Sequence, residues 1–309
     1  MKQAFVAGAL LVTGLSAFPV PASGQQPDGY PAAGAPPIVK VLSTGAAPKT
    51  ALRYTPPVGT KQHIDMTMSM GMSMEMSGAA GPGMTLPAIK IGADCVVTGV
   101  APSGDVTYTI AFTGAEGDPG GNPQIASTLQ TMNDALKTVK GSATVSNRGA
   151  TLSSNIDFSK VADSPMGPTM GSTTDQMKVL SIPLPEEELG VGARWEAYQT
   201  FVNSGMTMYQ KSEFELVAVD GRTVTLKSKL EQTAPPQAIS NPALPPGAEV
   251  HLDKLTGVGT ADMKLNLNEL VPTSDAAMDT TMLTSIAMGG NAMQMAMNIS
   301  MKLTIAPGK

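Results

Sequence analysis

The chain has 309 residues, a formal net charge of −5 and one cysteine, with a pI near 5.1. Dispersed lysines and arginines on an acidic background exclude nucleic acid as a partner and disfavour electrostatic attachment to anionic membranes. A single cysteine excludes an internal disulfide framework, while the length suffices for a sizeable core whose apolar complement includes 22 methionines.

Residues 1–24 read as a secretory signal. Lys2 supplies the positive start, Ala4 to Phe18 the short apolar segment, and Ala22-Ser23-Gly24 a small-residue cleavage site. No cysteine directly follows that segment, so lipid attachment is not expected, and no later run approaches the ~18 apolar residues of a membrane helix. The expected product is exported, periplasmic or secreted. Residues 25–50 are rich in Pro, Ala and Gly, and burial of so few large side chains does not offset ordering entropy. A flexible spacer is expected there. A single β-rich domain follows over 51–309, with halves of about 51–182 and 183–309.

Order is expected to begin at Leu52-Arg53-Tyr54, and Pro56-Pro57-Val58-Gly59 turns the chain into its most regular stretch, His63 to Met76. From Ile64 onward every second residue is apolar and the rest are polar or Gly, which is the period of a strand. Ile64 therefore shares one face with Met66, Met68, Met70, Met72, Met74 and Met76, opposite His63, Asp65, Thr67, Ser69, Ser73 and Glu75. A loop at Gly78 to Gly83 leads to an extended run from Met84 to Val100, which carries Cys95 as a small buried hydrophobe. After a turn at Pro102-Ser103-Gly104-Asp105, Val106, Tyr108, Ile110 and Phe112 line one face of a third strand.

The strong helix signal comes next. Asn122 suits the N-cap, Pro123 the first helical position, and Ile125, Leu129, Met132, Leu136 and Val139 recur at spacings of four and three before Gly141. An amphipathic helix over Asn122 to Lys140 is predicted, with one face for the sheet. Ser142 to Asn147 and Ala150 to Phe158 form a hairpin across Asn147-Arg148-Gly149, and a short helix is predicted over Thr173 to Leu180.

Pro183 to Trp195 opens the second half. Val191-Gly192-Ala193-Arg194-Trp195, the pair Met206 and Met208, and Leu216 to Arg222 turning into Val224-Thr225-Leu226 echo the order of the first half. There Val58 to Gln62 precedes the methionine run, and Val100 to Asp105 turns into Val106-Thr107-Tyr108, as in two related strand-rich units. A Pro-rich excursion spans Thr233 to Gly247. Strands are then expected near Gly257 to Asn268, Met278 to Met288 and Ala292 to Ile305. In the last, Met293, Met295 and Met297 are in phase with Ile299, Met301, Leu303 and Ile305.

Leu52 to Tyr54, Ser146-Asn147-Arg148-Gly149 and the Pro-Leu-Pro and Gly-Val-Gly-Ala-Arg-Trp segments of Pro183 to Trp195 carry a resemblance. In these the chain resembles a class of exported bacterial β-rich proteins over most of its length after Leu52. The resemblance rests on structural motifs and implies no catalytic residue. At the level of architecture the chain is also similar to periplasmic lipid carriers, in which a curved antiparallel sheet is partly filled by helices.

The methionine strips have three readings. Burial as a core face is the simplest, yet ordering Met costs up to ~1.5–2 kcal/mol against ~0.5–1 for Leu or Ile, so repeated Met suits a surface that must re-pack. A strand of about 14 residues extends roughly 45 Å, whereas the predicted helix reaches only ~28 Å. One helix cannot cover several such strands, which leaves room for a lipid-like or other apolar ligand, or a partner segment, on Met66, Met68, Met70, Met72, Met293, Met295 and Met297. The alternative is a Cu(I)-binding or oxidant-absorbing protein using Met66, Met68, Met70, Met72, Met74 and Met76. Neighbours on one strand lie ~6.6 Å apart at their base, so such a site needs sulfurs from a second strand. A structural or assembly protein with no small ligand shares all these features.

Enzymatic motifs are lacking: the chain has no His-Glu-x-x-His, Gly-x-Ser-x-Gly or phosphate-cradling Gly-Lys sequence. Glu186-Glu187-Glu188 reads as a solvated loop, and Trp195, Arg194 and Tyr54 as structural anchors. No catalytic residue and no cofactor is expected. The fold class is α+β, mainly β: a long curved antiparallel sheet of roughly ten strands, half-barrel-like, in two related halves with the helix on its apolar face.

Overall fold

In a computed structural model, residues 26–76, 79–81, 83–158, 182–203, 205–239, 249–288 and 291–308 are described. The segment read as a signal and the helix predicted over Thr173 to Leu180 lie outside them. In chain order the strands are β1 (Ile38–Ser43), β2 (Thr50–Ala51), β3 (Lys61–Met76), β4 (Ala79–Ala80), β5 (Met84–Val100) and β6 (Val106–Gly117). Helix α1 (Pro123–Leu136) follows, then β7 (Lys140–Val145), β8 (Thr151–Ile156), β9 (Glu188–Leu189), β10 (Arg194–Asn203), β11 (Met206–Asp220) and β12 (Thr223–Ala234). The chain closes with β13 (Gln237–Ile239), β14 (Glu249–Asn266), β15 (Thr273–Met288) and β16 (Asn291–Pro307).

Fourteen of these strands form one antiparallel sheet, ordered β1-β10-β11-β12-β14-β15-β16-β3-β5-β6-β7-β8, with β13 beside β14 and β4 beside β3. The sheet is not closed into a barrel. This is the curved, mainly β architecture expected from the alternating pattern, with more strands than the ten anticipated. The strands of residues 61–156 occupy one side of the sheet and those of 194–307 the other, joined where β16 pairs with β3.

Two sequence expectations are corrected. The stretch taken as a flexible spacer contains β1, which pairs with β10, and β2, which pairs with β9. Further upstream the Tyr30 ring packs against Tyr198 and Tyr209. Averaging composition over residues 25–50 hides the alternation of Ile38 to Ser43, which places Val39 and Val41 against the Trp195 core and caps the otherwise open backbone of β10. The helix, in turn, ends at Leu136 and not at Lys140. Its start is as predicted, with Asn122 Oδ1 accepting from the Gln124 N–H at 2.9 Å. At the other end Val139 C=O accepts from Phe112 N–H at 3.0 Å, so β6 captures the chain and Lys140 opens β7.

One face of the curled sheet carries the core. On the second-half side Trp195, Phe214, Leu216, Leu226 and Leu265 are covered by Leu52, Tyr54, Leu184 and Leu189. On the first-half side Ile64, Cys95, Ile110 and Phe112 are covered by Met132 and Leu136 of α1. The segment after residue 181 bridges the two sides at one end of the strands. Leu184 N–H donates to Arg148 C=O and Tyr54 N–H to Asn147 C=O, both at 2.9 Å, while the Trp195 indole donates to Pro183 C=O at 2.9 Å. We call this sealed end the base.

Two glycines of β14, Gly257 and Gly259, sit against β15. A Cβ on Gly259 would lie 2.9 Å from the backbone Ala277 C=O, so glycine is required there for β14 and β15 to approach so closely, whereas one on Gly257 would meet only the movable Met278 Cε at 2.8 Å. Nearby, Gln232 donates to Gln210 Oε1 at 2.8 Å, and Gln210 donates to Ser212 Oγ. Gln210 and Ser212 are buried on the core face and so satisfy each other there.

Candidate functional site

The end of the strands opposite the base is the candidate site. Pairing of β15, β16, β3 and β5 brings together methionines from distant parts of the chain. Met70 lies opposite Met301, Met74 opposite Met297 and Met76 opposite Met295. Across the next ladder Met301 faces Met278 and Met297 faces Met282, and on the other flank Met72 faces Met84. Because side chains alternate across a strand, all these thioethers stand on the concave face.

Burial falls steadily toward this lip. Met66 packs with Ile91 onto the helix-side core, and Met68 sits between Leu303 and Ile89. Met70 and Met72 are half-buried. Beyond them Met74 is 38%, Met76 46%, Met84 55% and Met293 37% exposed. Met295 and Met297 are half-buried. Of the seven residues anticipated as a ligand wall, Met70, Met72, Met293, Met295 and Met297 belong to the lip, while Met66 and Met68 sit nearer the packed base.

The lip has almost no formal charge. Between Met66 and Ile89 the one charged residue is Glu75, and between Ala276 and Met301 it is Asp279. Both alternate out of phase with the methionines. Single exposed apolar residues are ordinary on a protein surface, whereas a contiguous run of exposed methionines is not.

Polar groups gather on the opposite face of the sheet. His63 Nδ1 lies 2.6 Å from Asp94 Oδ1, and Lys90 pairs with Asp65 at 2.8 Å, which raises the Lys90 pKa. His251 contacts Asp253 at 3.1 Å, whose second oxygen accepts from Ser285 Oγ at 2.6 Å. Neither histidine joins the methionine face. Among the described residues no group of three or more His, Cys, Asp or Glu is placed to hold a metal ion. Cys95 is buried, and desolvation pushes its thiol up to about 12, which leaves it protonated and inert at neutral pH. Glu186 is exposed and pairs loosely with Arg148 at 3.5 Å, as a solvated loop would.

Sequence reading missed Met84, Met278, Met282 and Met301 as members of the site. Met278 and Met282 are in phase within β15, and that phase was the available signal. What no local pattern supplies is the pairing of the C-terminal strand β16 with β3, the contact that gathers the thioethers.

The fold and site define a β-rich protein with an open, curled sheet and a thioether-lined lip, and no helix of the described residues is long and apolar enough to cross a membrane. No protein-family model matches the chain, and no curated protein matches it. Among solved structures it is similar to the outer membrane protein OprG from Pseudomonas aeruginosa, with a TM-score of 0.21 and 6% identity over 84% of this chain and 100% of that one. This is a loose likeness between two β-rich chains.

Proposed function

We propose that the protein is a non-enzymatic, exported envelope protein that holds an apolar molecule of lipid-like chemistry against the methionine lip. One observation carries this reading: a contiguous, nearly uncharged face passes from packed core to exposed Met74, Met76, Met84 and Met293 without leaving the sheet. Flexible, polarizable thioethers accommodate ligands of variable shape. The signal-like residues 1–24 support export.

Native mass spectrometry of the mature protein purified from its own envelope tests this directly, combined with binding of a polarity-sensitive dye. A retained lipid-like mass and dye fluorescence lost on Met74→Gln with Met297→Gln are expected. A bare mass together with dye binding unaffected by those substitutions would overturn the reading and favour a structural or assembly role with no small ligand.

A further inference from the structure

We propose that Met74, Met76, Met295 and Met297 form a binding site for a soft monovalent metal ion, Cu(I) or its chemical analogue Ag(I). The site goes beyond apolar binding because it uses the sulfur atoms themselves.

Register sets the geometry. Met74 lies opposite Met297 and Met76 opposite Met295, so the four residues occupy the corners of a rectangle on one face. Directly opposed Cβ atoms are ~5 Å apart and next-but-one residues along a strand ~6.6 Å apart. The centre of the rectangle is therefore roughly 4 Å from every Cβ. Each sulfur stands two bonds beyond its Cβ on a freely rotating chain, so all four reach a point above that centre. A single strand cannot do this, and the ladder between β3 and β16 removes the obstacle.

Other thioether groups are less suitable. Met70, Met301 and Met278 fall in one line across three strands, and Met278 Cε already occupies the space over Gly257. Met72 faces Ile299 on one side. The quartet by contrast is at the exposed end, where an ion has access. No lysine or arginine lies between Met66 and Ile89 or between Ala276 and Met301 to repel a cation.

The donor chemistry selects the ion. Neutral thioethers without nearby carboxylate or imidazole bind soft Cu(I) and reject hard Mg²⁺ or Ca²⁺. A rigid apolar wall gives no reason to prefer Met over Leu, which costs less to order, and a wall for variable ligands does not need four sulfurs converging at one point.

The test titrates Cu(I) anaerobically into the full mature chain against a chromogenic Cu(I) chelator, and repeats the titration with Met74→Leu, Met76→Leu, Met295→Leu and Met297→Leu combined. The parent is expected to take one ion per chain from the chelator and the variant none. Leucine keeps the apolar area, so the thermal midpoint is expected to persist in the variant and shows that the sheet is intact. Loss of copper with the thermal midpoint retained supports the site, and this readout does not depend on whether the lip also holds an apolar molecule. X-ray absorption of the Cu(I)-loaded parent needs no variant and should show sulfur ligands only. Nitrogen or oxygen ligation, copper retained by the variant, or no uptake by the parent would each overturn the proposal.

Discussion

Two rows of side chains on the same face of the same sheet have opposite fates. At the base, Leu216, Leu226, Met263, Ser274, Ile305 and Met66 stand side by side across six strands, and Leu216 and Leu226 are fully buried. Toward the lip, Ala234, Leu255, Met282, Met297 and Met74 form the corresponding row. It begins in a packed cluster with Phe201 and Leu252 and ends in water at Met74. Period and polarity are alike in both rows, so pattern does not decide burial. Coverage does: α1 and the segments around Leu52 and Leu184 pack on the clusters that hold Leu216, Leu226 and Met66.

The sharpest way to break the comparison is to open the base. Trp195→Ala removes a fully buried ring stacked on Phe214 at 5.3 Å and leaves Pro183 C=O without its indole donor. A loss of about 3–5 kcal/mol is expected, read by urea unfolding. A cost below ~0.5 kcal/mol, the size of an ordinary surface change, would show that the base is not sealed.

Alkali attacks the same end. The Cys95 thiol is raised by burial from an ordinary 9.0 to about 12, and Tyr108, also buried, is raised to about 12. The native state therefore holds these protons more tightly than the unfolded chain. Stability is intact below pH 9 and falls as pH rises toward 12, with each unit of separation worth ~1.4 kcal/mol. Unfolding midpoints measured between pH 8 and 11 should drop, and Cys95→Ala should flatten part of that slope. Binding at the lip has no such group and should follow the slope only once the fold itself fails.

Glycines report the contrast at smaller scale. Gly259→Val places a Cβ 2.9 Å from Ala277 C=O and should cost about 1–3 kcal/mol through overpacking. Gly71 of β3 has nothing within 4 Å of a Cβ and an ordinary strand backbone. Gly71→Thr should stabilise by about 0.5–1 kcal/mol, since the unfolded chain loses freedom and the strand gains a suitable residue. Thermal unfolding of the two variants reads opposite signs.

Much of this was legible from period alone. The alternation of Ile64 to Met76 fixed the face of β3, and Asn122 with Pro123 fixed where α1 starts, because both signals are local. The end of α1 was not legible, since Phe112 captures Val139 from a strand 27 positions earlier, and neither was β1, whose alternation is short and needs the edge of β10. The site was half-legible for the same reason. Each methionine strip declares its own phase, but the pairing of Met74 with Met297 joins residues from opposite ends of the chain, and only the folded sheet supplies it.

The smallest expected effect discriminates best between methionine as filler and methionine as working surface. Met132 is buried under α1 among Phe112, Ile110 and Leu136, where a branched side chain cannot follow the path of an unbranched one. Met132→Leu should cost about 1 kcal/mol, within the range for volume-conserving core exchanges. Met74 at the lip has water on one side and neighbours free to shift, so Met74→Leu should change stability by less than ~0.5 kcal/mol. Thermal melts of the two variants, run side by side, decide whether the lip is packed. Equal costs would mean that Met74 is held as tightly as Met132 and that the strip is core throughout its length. A cost confined to Met132 means that the fold does not depend on sulfur at the lip, and that what does depend on it is whatever binds there.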